Sequence, residues 1–229
     1  MNSSAEPLRS SASSAAQPAS WRQKLLALIG VIFALGFPAI PLSRFFDEFA
    51  NARTLFAYEL IWWAAVAALI AWVRFAEREP LSSIGFRAPG VKNLALGVLT
   101  AVVSLAGLAA ILYVIFPALH INETQSINKV LATPLWWRWI SVVRAAVGEE
   151  VLFRGYAIER LQRLTGSARL AGTVSCVIFT LLHVGYWGWG HLLVAGFAGA
   201  LLTLLYLWRR NLWANILAHL LIDGAAFLT

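Results

Sequence analysis

The sequence predicts an all-α membrane protein, a polytopic bundle of about seven transmembrane helices, and three observations predict it. Of the 229 residues, 60% are hydrophobic and only 13% charged, against roughly half and about a quarter in average globular domains. Mean hydropathy is +0.72. The apolar residues gather in runs at 25–43, 55–73, 94–119, 170–190 and 212–222 that hold no Asp, Lys or Arg, and a single Glu, Glu59. Several of these reach the ~20 residues that cross a bilayer. A lone cysteine, Cys176, excludes a disulfide framework and a Cys-rich metal knuckle.

Residues 1–20 form a Ser/Ala-rich tail with almost no large apolar side chain, so ordering entropy is not repaid and disorder is expected. Residues 21–229 then form a single transmembrane domain. Arg22 and Lys24 precede the first apolar run, Leu25–Ser43, which lacks a small-x-small cleavage site and is taken as a retained span rather than a signal peptide. Pro38 and Pro41 end or bend it. The second span is about Leu55–Val73 and the third about Leu94–Ala118. Residues 119–134 are polar, and Trp136, Trp137 and Trp139 suit an interfacial belt. A fourth helix, about Leu135–Leu164, is unusual in carrying many charges. Three more follow, at about Leu170–Val184, His191–Trp208 and Leu212–Leu228.

Net charge is +7. In a membrane protein this bears on orientation, and no nucleic-acid partner is expected. With seven helices, the N-terminal segment, the 74–92 loop, the 160–169 connection and the 209–210 turn hold twelve Lys/Arg, against four on the other side (Arg44, Arg53, Lys129, Arg138). The excess predicts a cytoplasmic N-terminus and an outside C-terminus. No internal repeat is visible, which disfavours inverted-repeat transporter folds.

The chemistry-bearing residues lie within the spans. Helix four contains Glu149, Glu150 and Arg154, and an ionisable group at the centre of a span costs on the order of 3 kcal/mol unless paired or facing a wet cavity. Glu150 and Arg154 are spaced i,i+4 in the favourable acid-before-base order, which predicts a structural ion pair. Glu149, about 100° round the helix, faces something else. His183 lies near the end of helix five, one turn after Phe179, and His219 lies in helix seven, one turn before Asp223. At ~1.5 Å per residue, Glu149, His183 and His219 fall roughly 16, 21 and 14 Å from the basic flank, so one layer can hold all three.

Such a layer suits water activation. Glu149 serves as general base, with His183 holding the water directly or through a metal. His219 either completes a Glu149, His183, His219 set for a divalent ion such as zinc or stabilises an oxyanion. Asp223 either orients His219 as a carboxylate or, protonated, donates a hydrogen bond. There is no HExxH motif. Cys176 lies two turns from His183, about 10.5 Å along the axis, and reads as a small apolar filler. His120 and His191 are expected at interfaces, as is the Gly/Trp-rich turn at 185–190, with His191 near enough in sequence to His183 to stay a lesser site candidate.

The ordered motifs Glu149-Glu150-x-x-x-Arg154, Phe179-x-x-x-His183 and His219-x-x-x-Asp223 resemble the CPBP family of intramembrane proteases, which includes the type II CAAX prenyl endopeptidases and the bacterial Abi-like proteins linked to bacteriocin immunity and processing. The likeness covers a core of about 135–229. It implies that Glu149 is catalytic, that Glu150 and Arg154 support it, and that His183 and His219 belong to the site. Asp223 stands where the prenyl endopeptidases often carry Asn. The expected activity is an intramembrane endopeptidase, in the metalloprotease sense if the ion is used, acting on a membrane-associated peptide or protein; prenyl specificity is not carried over. The alternatives are a non-catalytic membrane scaffold or immunity protein and a proton- or metal-coupled transporter.

Overall fold

The computed structural model describes residues 20–42, 51–122 and 124–228. The tail expected at 1–20 lies outside them except for its last residue, as do Arg9 and Arg44, two of the basic residues used for orientation. Among the described residues there are seven long helical rods and one short surface helix, Thr124–Leu131, and no strand. α1 is Trp21–Gly36, α2 spans Ala52–Ala76 and α3 Val91–Ala118. α4 runs through residues 135–165; α5 is Ala168–Trp187, α6 His191–Arg209 and α7 Leu212–Phe227.

The boundaries have local causes. Ser20 caps α1 through a reciprocal capping box with Gln23, satisfying backbone donors that otherwise lack partners. Pro38 lies in the short 3-10 turn Phe37–Ala39 that ends it. Asn51, Ser167 and Asn211 cap α2, α5 and α7 through their side-chain oxygens. Gly166, at φ +76°, stops α4 in the left-handed conformation that glycine adopts without steric cost.

Five rods, α1, α2, α3, α5 and α6, are long and apolar enough to cross a membrane. The other two have a different character. α7 has only 16 residues, and α4 is the charged helix, whose middle lies at the centre of the bundle. α1, α2, α5 and α7 all pack on it. Its middle, Glu150–Ile158, is π-helical, and all nine of its residues are buried. Apolar side chains left exposed lie on the surrounding rods, for example Ile32, Val102 and Leu181, and on the first turns of α4, at Leu135, Trp136, Trp139 and Val143, where a bilayer covers them. The protein is therefore a helical membrane bundle whose polar cargo is carried on its innermost helix. π-helical stretches are rare and recur at functional sites, and this one begins at Glu150.

Candidate functional site

The deepest element of the site is the Glu150 carboxylate, fully buried. Arg154 donates to its Oε1 at 2.9 Å, the pair expected from spacing. Two further donors come from α7. His219 Nδ1–H donates to Oε1 at 2.9 Å and Asn215 Nδ2–H to Oε2 at 3.1 Å. Asn215 Nδ2 also donates to the Leu202 carbonyl at 2.7 Å, which fixes α7 against α6. Arg154 is itself held, donating to the Gly199 carbonyl at 3.2 Å while its guanidinium lies 4.1 Å from the Phe179 ring centroid. A buried carboxylate is tolerable only when its lone pairs are met by donors, and these three converge on both oxygens. Glu150 is thus more than half of an ion pair, because it also locks His219.

That lock determines what the outer edge of His219 can meet. With Nδ1 committed, Nε2 lies 3.9 Å from Glu149 Oε2 and 3.4 Å from Asp223 Oδ2. These carboxylates are 17% and 23% exposed, against 0% for Glu150. Glu150 and Asp223 therefore stand on opposite nitrogens of the His219 ring. His183 Nδ1–H donates to the Phe179 carbonyl at 2.7 Å. A carbonyl only accepts, so Nδ1 carries the proton, and the neutral ring is left with Nε2 as its acceptor.

Glu149, His183, His219 and Asp223 all line one cavity of about 550 Å³ between the helices, together with His191 and Trp187. A cation flanks it. Arg144, on α4, donates through Nε to Glu59 of α2 at 3.1 Å, and Ser141 donates to the same carboxylate at 2.7 Å. The Arg144 guanidinium lies 5.0 Å from the Trp62 ring centroid, a cation–π contact, and couples electrostatically to Glu149.

Several expectations change. Among the described residues no three His, Cys, Asp or Glu side chains are grouped as a metal site; His219 Nδ1 and His183 Nδ1 each face an oxygen, and Glu149 lies beside His219 Nε2. Trp137 is buried rather than interfacial, and Trp187 turns inward, stacking on His191 at 5.0 Å. Trp136, Trp139 and Trp189 remain exposed. His191 belongs to the cavity wall, not to an outer interface. Cys176 is a free thiol, and His120 sits in a turn at φ +54°. Asn215 and Arg144 were missed. Asn215 had a signal, since Asn215, His219 and Asp223 are spaced by four on one helix face.

Residues 131–225 match the family model described as type II CAAX prenyl endopeptidase Rce1-like. The match covers less than half of the chain and contains all three motifs, so the resemblance read from them holds over this segment. No curated protein and no solved structure matches the chain.

Proposed function

Taking that family match as the premise, we propose that the protein is an intramembrane endopeptidase that hydrolyses a peptide bond of a membrane-associated protein or peptide with a Glu/His-activated water. The observation that carries this is the clamp on His219: Glu150 fixes Nδ1, and Nε2 is turned toward Glu149 and Asp223 at the wall of a cavity shared with His183.

The steps follow from which atoms have capacity to spare. Glu149, whose closest ion-pair contact among the described residues is 3.9 Å, accepts one proton of a cavity water, and His183 Nε2 accepts a hydrogen bond from the other. The water oxygen attacks the carbonyl carbon, and negative charge moves to the carbonyl oxygen. His219 has a carboxylate at each nitrogen, and both nitrogens donate when the ring is protonated. Its Nε2–H turns from Asp223 to the oxyanion. Glu149 then returns its proton to the leaving nitrogen as the C–N bond breaks. Asp223, as a carboxylate, holds the Nε2–H in the resting state. The basic flanks favour a cytoplasmic N-terminus, and on that orientation the cavity, lined by Ile40, Trp187, His191 and Phe227, lies toward the opposite end of the bundle.

The test is cleavage of a panel of lipidated and unlipidated fluorogenic peptides by purified protein in proteoliposomes. Glu149→Gln should lower turnover by about 10²–10⁴-fold, the range for removing a general base, with thermal unfolding unchanged. Undiminished turnover overturns the assignment. No cleavage by the parent protein, with Glu149→Ala weakening partner capture, would favour the scaffold alternative.

A further inference from the structure

His191 lies outside the three motifs, and the reaction above gives it no task. It is nevertheless the first residue of α6 and part of the cavity wall, and its ring is built into a series of ring contacts. His183 and Trp187 are four residues apart on α5, so they stand one above the other on a single face. His191 comes against both. Its plane is 13° from that of His183 with centroids 5.8 Å apart, and 15° from that of Trp187 at 5.0 Å. Both are offset-stacked geometries. Trp187 in turn stacks on Phe227 of α7 at 5.7 Å. On its other neighbour, His183 tilts against Phe179 at 4.5 Å, the same ring that carries Arg154.

His183 needs such a contact. Its hydrogen bond from Nδ1–H to the Phe179 carbonyl fixes one atom of the ring, while the torsion that sets an imidazole plane has a broad minimum. A flat neighbour parallel to the ring supplies the missing constraint. We propose that His191 is a positioning residue for His183: backed by Trp187, its ring holds the His183 plane so that Nε2 stays directed into the cavity. This rests on His183 acting in the cleavage, so the test includes a measurement that does not.

Three variants separate shape from chemistry. His191→Phe keeps a flat ring without exchangeable protons, His191→Leu fills the volume without a plane, and His191→Ala removes both. His191→Leu and His191→Ala should lower kcat by about 10- to 100-fold, the scale of a misplaced reacting group, with KM within about threefold. His191→Phe should restore kcat to within about threefold of the parent on the same principle. Equal losses in all three variants would make His191 a proton-transfer group and overturn the positioning role, as would full activity in His191→Leu and His191→Ala. In histidine-¹⁵N-labelled protein, the His183 Nδ1–H signal should be sharp in the parent and in His191→Phe and broadened in His191→Leu. An unchanged signal there refutes the proposal even if no peptide is cleaved, whereas a broadened signal without cleavage upholds the stacking and faults only the protease assignment.

Discussion

Along α4, the stretch from Tyr156 to Arg163 and the stretch from Glu149 to Arg154 both carry acids and bases, yet they are wired differently. Near Arg160 every carboxylate is tied to a cation. Glu77 accepts from Arg160 Nη2 at 2.7 Å and from Tyr156 Oη at 2.7 Å, and Arg160 also donates to Ser83 Oγ at 3.1 Å. Glu159 accepts from Tyr206 at 2.9 Å and Arg210 at 3.1 Å, and Glu79 receives both terminal nitrogens of Arg163. Around residue 150 only Glu150 is treated this way, while Glu149 and Asp223 reach the edge of one imidazole at 3.9 and 3.4 Å. A carboxylate saturated with donors has no lone pair left for water. The closed network holds helices together, and the open one leaves two acids with capacity for a reaction.

The contrast is broken most severely by removing the cation of the closed part of the site. Arg154→Ala leaves Glu150 buried without its main counter-charge, and breaking a buried pair from one side costs about 3–5 kcal/mol. Glu149→Ala, at a cavity-facing acid without a close partner, should cost less than about 1 kcal/mol. Thermal unfolding in one detergent measures both. Equal losses would mean that Glu149 is as structural as Glu150.

A smaller effect is expected one donor further out. Asn215→Leu removes the hydrogen bond to Glu150 Oε2 and leaves that oxygen unsatisfied, a loss of about 1–3 kcal/mol. It should also reduce kcat, because Glu150 positions His219, while leaving KM nearly unchanged. A rise in KM alone would place Asn215 in substrate binding instead.

The helix bounds were legible because charge-free runs mark them directly: α6 was expected at His191–Trp208 and is His191–Arg209. The central position of α4 was not, since hydropathy measures aversion to water and does not distinguish lipid from protein neighbours. The Glu150–Arg154 pair is a property of one helix and could be read from spacing. The Glu59–Arg144 pair joins residues 85 apart in sequence and depends on the register of α2 against α4, which no local pattern encodes. Trp137 and Trp187 show the same limit. Their composition and place near helix ends suggested an interface, but which way a ring points round the helix is decided by packing, and both line the cavity.

The smallest effect belongs to the outermost closed pair. Burial alone would push the Glu79 carboxyl up, but the hydrogen bond and charge of Arg163, with the charge of Arg160, outweigh it and hold the group below its ordinary 4.5. A carboxylate with a depressed folded-state pKa contributes stability that is fully present above the unfolded value and is lost as pH falls through the folded one. The parent protein should therefore be more stable than Glu79→Gln at neutral pH, with the difference closing as pH drops below about 4.5. Both side chains are partly exposed, at 32% and 24%, so screening keeps the contribution under about 1 kcal/mol, and salt reduces it further. Unfolding temperatures of the two proteins at neutral and acidic pH, in low and high salt, measure it. A difference that persists undiminished in acid would mean that Glu79 acts through packing rather than charge, and the contrast along α4 would then rest on the Glu77 and Glu159 pairs alone.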